Sequence, residues 1–119
     1  MQPDFIDQAF KSNIILNLSS IEDIKILKDY KTETKNCPRY HIKFDTGMTR
    51  LGIDIEDSNV LYEKIIKDLA IHPEGVYTHF ATADEGNLSY AHMQLEKFKD
   101  AVELAEKYNI QFKYVHSSN

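Results

Sequence analysis

The stretch Tyr40-His41-Ile42-Lys43-Phe44-Asp45 is the clearest strand signal in this sequence and decides the fold that we expect. Apolar and polar residues alternate along it with the period of a β-strand. The alternation predicts that one face carries His41, Lys43 and Asp45. The opposite face is predicted to carry Ile42 and Phe44. Lys43 is therefore expected on a different face of the sheet from the apolar core.

Working outward, four strand-like runs recur about 30 residues apart, which is the length of a βα unit. They are Ile14–Leu18, Arg39–Asp45, Gly75–Phe80 and Ile110–His116. Helix-like segments alternate with these runs. The sequence therefore predicts an α/β fold in which helices connect parallel strands.

Serine residues mark the expected starts of three of these helices, since serine is a favoured N-cap. They are Ser20, Ser58 and Ser89, while Pro3 suits the first turn of a helix at the amino end. After Ser58 the apolar spacing predicts a buried face, formed by Leu61, Ile65, Ile66 and Leu69. The longest helix is predicted to bury Ala91, Leu95, Phe98, Val102 and Ala105.

Four βα units fit either an open doubly wound sheet or half of a (β/α)8 barrel. Eight such units need about 250 residues, so the 119 residues of this chain would form about half of a barrel. We expect one unit over residues 1–119.

Composition excludes several classes of protein. The net charge is −5, which argues against a general nucleic-acid binder. The longest aliphatic run is Ile14-Ile15-Leu16, too short to cross a membrane, and the first residues do not resemble a signal peptide. The single cysteine, Cys37, fits a reducing, cytoplasmic setting. The histidines lack the spacing of a metal motif, so no metal site is expected.

Polar residues follow three of the strand runs where each run ends. They are the segments Asp45–Arg50, His79–Glu85 and His116–Asn119. The carboxyl ends of parallel strands are where α/β folds bind ligands, so we expect a site there.

The individual residues leave alternatives open. A lysine facing the interior, such as Lys43, must be paired, shifted in pKa or modified, unless its strand face is solvated. Arg50 could clamp a carboxylate or a phenolate oxygen, or be a surface charge. His79 could be a catalytic group or a hydrogen-bonded structural one.

Three segments together resemble bacterial alanine racemases. His41–Ile53, including Asp45-Thr46-Gly47-Met48, is similar to one strand and loop of that family, and Gly75–Glu85 is similar to the next strand. Gln94, Phe98 and His116-Ser117-Ser118-Asn119 resemble the segments that follow. The matches come in the order and at the spacing of the family.

The resemblance implies an N-terminal (β/α)8 barrel that binds pyridoxal 5′-phosphate, a C-terminal β domain and a homodimer. Such enzymes interconvert L-alanine and D-alanine, which supplies D-alanine for peptidoglycan. Their cofactor-attachment (Schiff-base) lysine lies upstream of the matched segments and their catalytic tyrosine lies downstream. The resemblance therefore implies a partial barrel domain that lacks the C-terminal β domain and is inactive alone.

Carried over residue by residue, the resemblance assigns catalytic roles to His79 and Arg50. Arg50 would lie beside the phenolic oxygen of the cofactor and the carboxylate of the substrate, and Lys43, often carbamylated, would hold it. His79 would hydrogen-bond the catalytic tyrosine, and Asn119 would lie at the cofactor site.

Two alternatives remain open for the function. One is a racemase of the same fold with another or broader specificity, such as for serine. The other is a catalytically inert barrel fragment. Because half a barrel leaves two open sheet edges, we expect this chain to pair with the remaining barrel segments or with a second copy.

Overall fold

The computed structural model describes residues 3–45, 52–79 and 88–118 and shows one parallel sheet covered by helices. Helices and strands alternate along the chain. The strands are β1 (Leu16–Leu18), β2 (Tyr40–Asp45), β3 (Ile53–Asp54), β4 (Gly75–His79) and β5 (Tyr114–Ser118). The helices are α1 (Pro3–Lys11), α2 (Glu22–Thr34), α3 (Ser58–Lys64) and α4 (Leu88–Lys107), with a 3-10 turn at Ile55–Asp57 and a π-helix at Ile65–Leu69.

All strand pairs in the described sheet are parallel, in the order β1-β2-β4-β5. The short strand β3 also pairs with β2, since Phe44 is opposite Ile53 on one side and opposite Thr78 of β4 on the other. Thus β3 extends the edge of β2 on which β1 lies. The predicted α/β fold with parallel strands is confirmed, and β3 is an addition to the four predicted strands.

The helices pack on one face of the sheet and form the core there. Tyr40, Ile42 and Phe44 of β2 are completely buried on this face. Tyr62 of α3 ties the layers together, because its ring meets Phe44 edge-on at 6.3 Å and its hydroxyl donates to the carbonyl of Ala101 at 2.7 Å. The sheet face opposite the helices is thereby left to the polar residues.

All three predicted serine caps are wrong, and Ser89 is the second residue of α4. The residue before α2 is Ile21, which makes no side-chain capping bond, and the Asp23 carboxylate instead accepts from the N–H of Ser19 at 3.2 Å. Ser58 lies inside α3, because a 3-10 turn precedes the helix and Asp54 caps that turn by accepting from the N–H of Glu56 at 3.0 Å.

Two further predictions fail in detail. Ile66 is exposed, whereas Leu61, Ile65 and Leu69 are buried, because the side chain that directly follows Ile65 in the helix points away from that stripe. The last strand begins at Tyr114 and not at Ile110, which is buried in the turn after α4.

Candidate functional site

The strand β2 presents its polar residues on the face that the helices leave uncovered. His41, Lys43 and Asp45 are half-buried, and they alternate with fully buried apolar residues. This is the alternation predicted from the sequence. We call the uncovered side the inner face of the sheet.

The register of the parallel strands arranges the inner face in rows. Lys43 is directly opposite Tyr77 of β4, and Tyr77 is opposite His116 of β5. One row nearer the amino ends, His41 is opposite Gly75, which is opposite Tyr114. The sequence therefore brings basic and aromatic side chains from three strands onto one surface.

The Lys43 ammonium lies close to an aromatic ring. Its Nζ is 6.0 Å from the centre of the Tyr77 ring, at the outer limit of a cation–π contact. Burial raises the pKa of the Tyr77 phenol above its usual value, so this group stays protonated at neutral pH. The pair places one amine and one neutral hydroxyl side by side on the inner face.

Two contacts fix the carboxyl ends of the strands next to these residues. The buried hydroxyl of Thr78 donates to the carbonyl of Phe44 at 2.9 Å and joins β4 to β2. Gly52, with φ of +130°, brings its Cα so close to β2 that an added Cβ would lie 3.0 Å from the Asp45 nitrogen. The backbone that carries Lys43 is thus held on both sides.

Of the four residues singled out as site residues, the structure describes two. Lys43 lies on the inner face, and His79 is the last residue of β4, paired with Ser118 of β5. Arg50 and Asn119 lie outside the described residues. The predicted contact between Lys43 and Arg50 and the roles of all four residues therefore stay predictions.

Sequence reasoning missed Gly75, Tyr77 and Tyr114 as members of the inner face. The alternation in Gly75–His79 could have placed the first two there, because it is the same signal that was used for β2. Tyr114 also lies within the predicted run Ile110–His116, where the same alternation puts it on the face of His116.

Two other kinds of site, a metal centre and a nucleophilic cysteine, are disfavoured in the described part of the chain. It holds no group of three His, Cys, Asp or Glu side chains that could bind a metal ion. Burial raises the pKa of the Cys37 thiol to about 11, which disfavours the thiolate that a nucleophile requires.

None of the helices in ranges 3–45, 52–79 and 88–118 is long and apolar enough to span a membrane.

Comparison with known proteins gives a consistent picture. The family described as "Alanine racemase, N-terminal domain" matches residues 1–119. An alanine racemase from Carboxydothermus hydrogenoformans is 41% identical over 117 residues, which is 98% of this chain and 32% of that protein. The chain thus spans about a third of the length of this curated relative.

Solved structures agree with the sequence relatives. The alanine racemase of Clostridium difficile 630 matches with a TM-score of 0.82 and 26% identity, over 100% of this chain and 33% of that one. A histidine racemase from Leuconostoc mesenteroides matches with a TM-score of 0.69 and 23% identity, over 98% of this chain and 36% of that one, and shows the fold alone. The expected fold, part of a (β/α)8 barrel, is confirmed.

Proposed function

This chain belongs to the alanine racemase N-terminal domain family, and from this premise we propose that it is part of a pyridoxal-phosphate-dependent enzyme that interconverts L-alanine and D-alanine. The observation that carries the proposal is the inner face of β2, where half-buried Lys43 lies 6.0 Å from the Tyr77 ring. A lysine held on the inner side of a parallel sheet, towards the carboxyl ends of the strands, lies where α/β enzymes bind their ligands.

The proposed roles follow the resemblance of individual positions. Arg50 binds the substrate carboxylate and the phenolic oxygen of the cofactor, and Lys43, as a carbamate, holds Arg50. His79 hydrogen-bonds the tyrosine that moves the proton, and Asn119 lies beside the cofactor. A carbamate would turn Lys43 into an anion, which explains how a lysine and an arginine could share one interior site.

The cofactor fits this face by the chemistry of its donors. When bound, pyridoxal 5′-phosphate withdraws electrons from the substrate and makes its α-proton acidic. Arg50 is then proposed to bind and orient the anionic groups, while the Lys43 carbamate holds Arg50. The attachment lysine and the catalytic tyrosine are proposed to come from other parts of the enzyme, so the 119 residues alone are inactive.

The surfaces at the two ends of the sheet support further barrel segments as partners. Near β1, the α1 helix and the turn after it expose Phe5, Phe10 and Ile14. At the other end Val115 of β5 is 54% exposed and borders a groove of about 330 Å³ with Leu95 of α4. Apolar surface at both ends is what a barrel wall shows without its neighbours.

In the whole enzyme we propose a homodimer with a C-terminal β domain, located in the cytoplasm, whose D-alanine product serves peptidoglycan synthesis. The single cysteine, Cys37, agrees with a reducing compartment. We propose no nucleic-acid or membrane partner.

A racemase of other or broader specificity is the second candidate. The histidine racemase of Leuconostoc mesenteroides shares the fold, so the fold alone does not select alanine. The test is to incubate the full-length protein that contains this segment, loaded with pyridoxal phosphate, with L-alanine, L-serine and L-histidine separately. Chiral chromatography should show D-alanine formed fastest. Faster conversion of serine or histidine would favour the alternative, and no racemisation would refute the proposal.

A further inference from the structure

Tyr77 of β4 stands directly opposite Lys43 of β2 on the inner face of the sheet. Paired strands lie about 4.8 Å apart, and the Lys43 Nζ is 6.0 Å from the centre of the Tyr77 ring. The two side chains therefore extend side by side from the sheet and do not diverge. Because both are long and end in a polar group, we expect those ends to lie at a similar height above the sheet.

Packing alone does not account for the hydroxyl of Tyr77, because a phenylalanine ring would fill the same half-buried space. Among the described residues the hydroxyl has no hydrogen-bond partner, and it is open to solvent and not sealed inside the sheet. Burial raises the pKa of this phenol, so the group keeps its proton at neutral pH. The hydroxyl can therefore bond a polar group that lies beside it on the inner face.

The head group of Lys43 is such a polar group, and its chemistry decides which way the bond runs. An ammonium only donates, so the Tyr77 oxygen would have to accept from it. In the proposed carbamate, carbon dioxide adds to the neutral amine, one proton is released, and the new oxygens accept hydrogen bonds. A phenol donates more strongly than it accepts, because its ring withdraws electron density from the oxygen. The hydroxyl thus favours the carbamate over the unmodified lysine, and the charge of the acceptor strengthens the bond.

We propose that Tyr77 is a positioning residue, whose hydroxyl donates a hydrogen bond to the Lys43 carbamate and stabilises the modified lysine. The inference rests on the proposed function, since the carbamate belongs to the roles proposed there. A carbamate held by Tyr77 stays in place to hold Arg50. Loss of the hydroxyl should therefore act on the substrate site through Lys43 and Arg50.

The first test measures the carbamate itself in the cofactor-free, full-length protein. Tyr77→Phe removes the hydroxyl and keeps the ring. Tyr108→Phe is the matched control, because Tyr108 is also half-buried but lies directly after α4 and donates to Asn59 at 2.9 Å. The proteins are titrated with carbon-13-labelled bicarbonate, and the carbamate carbon is followed by NMR, with Lys43→Met to assign the signal. We expect Tyr77→Phe to need about tenfold more bicarbonate than wild type for the same signal, and Tyr108→Phe to match wild type.

The second test measures steady-state alanine racemisation of the same proteins at low and high bicarbonate. Tyr77→Phe should lose up to about tenfold in kcat/KM at low bicarbonate and recover as bicarbonate is raised, which structural damage would not do. An equal bicarbonate dependence of Tyr77→Phe and wild type would overturn the proposal, as would a wild-type protein without the carbamate signal.

A measurement on the wild type alone covers the case in which the variant does not fold. A crystal structure of the full-length protein should place the Tyr77 oxygen within hydrogen-bond distance of the Lys43 carbamate, and a larger separation would overturn the proposal. A wild-type protein with the carbamate but without racemase activity would refute the proposed function, while the bicarbonate titration would still test the bond.

Discussion

Gly52 occupies a backbone conformation and a space that an alanine cannot share. Its φ is +130°, and an added Cβ would lie 3.0 Å from the carbonyl carbon of Phe44 and 3.1 Å from the oxygen of Lys43. These neighbours are backbone atoms of a central strand, so they cannot move aside cheaply. The glycine therefore holds the chain against β2 directly beside the candidate site.

We predict that Gly52→Ala lowers the free energy of unfolding of the full-length protein by about 2 kcal/mol or more, because both strain and the contact with β2 oppose it. Urea unfolding measures the change. Ala70 provides the matched control, since its φ of 55° is left-handed and its side chain is exposed. Ala70→Gly should be neutral or stabilise the protein by up to about 1 kcal/mol. An equal loss in both variants would contradict this account.

His41 should make stability depend on pH in a definite direction. Burial lowers the pKa of its imidazole below the usual value, while Glu74 opposes and Arg39 adds to that shift. The unfolded chain then takes up a proton near its ordinary pKa of about 6.5, whereas the folded chain takes it up only at lower pH. The contribution of His41 is thus complete above about pH 6.5 and is lost as the pH falls below that value.

We predict that His41→Gln flattens the fall in stability of the full-length protein between about pH 6.5 and pH 5. Besides Arg39 and Glu74, the charged or titratable groups around the ring are Lys43 and Tyr114, and the substitution keeps all four. His72→Gln is the control, because His72 is exposed in the turn before β4. Urea unfolding at a series of pH values gives the comparison. An unchanged slope in the His41 variant would show that the imidazole is not buried as described.

At the scale of single elements, two hydrogen bonds hold the carboxyl end of the π-helix. It ends at Ala70, whose N–H donates to the carbonyl of Ile65 at 2.9 Å. From α2, the Lys31 ammonium donates to the carbonyl of Leu69 at 2.5 Å. A cation at the carboxyl end of a helix satisfies a free carbonyl and complements the helix dipole.

We predict that Lys31→Met lowers the free energy of unfolding by about 1 to 2 kcal/mol, because a partly buried carbonyl loses a charged donor. Lys28→Met, one turn earlier on α2, is the matched control. Its ammonium is 3.6 Å from the Asp68 carboxylate and is 48% exposed, so the loss should be about 0.5 kcal/mol or less. Thermal or urea unfolding of the full-length protein distinguishes the two. Equal losses would mean that Lys31 acts as an ordinary surface charge.

The sequence predicted these elements where a long periodic pattern exists and failed where it does not. The alternation in Tyr40–Asp45 places Lys43 correctly, because six residues repeat one period. The two residues of β3 are too few to show any period. Ser20 was expected to cap α2 because serine suits a helix start, but no side chain caps this helix, and Asp23 of its first turn accepts from the N–H of Ser19.

In the candidate site as well, local patterns predicted some features, while others depend on how the strands pair. The positions of Lys43 and His79 on their strands follow from local alternation and strand length. The close approach of the His41 ring to the Gly75 backbone depends on the register between β2 and β4. The sequence of either strand alone does not determine that register. The contact of Lys43 with the Tyr77 ring also depends on this register, which puts the two residues opposite each other.

At the scale of the whole molecule, the described sheet has an outer strand at each end and an uncovered inner face. On β5, Tyr114 and Val115 are 50% and 54% exposed, although they point to opposite faces. Apolar surface and open strand edges favour association. The 119 residues should therefore not persist as an isolated folded monomer.

We predict that the purified 119-residue chain either self-associates or remains poorly folded, and that added complementary barrel segments convert it to a folded complex. Sedimentation velocity together with circular dichroism measures both properties. A concentration-independent monomer with cooperative unfolding would contradict this prediction. Val115→Lys, which charges the exposed end of the sheet, should weaken self-association without the other segments.

The most direct test of the central claim compares the two arginines of this chain in the full-length protein. Arg50 is proposed to bind the substrate, whereas Arg39 lies just before β2 at its amino end and pairs with Glu74. Racemisation of L-alanine is measured for Arg50→Ala and Arg39→Ala. The account predicts a loss of about a hundredfold or more in kcat/KM for the first and near wild-type activity for the second. Wild-type kinetics in Arg50→Ala, or equal losses in both variants, would contradict it.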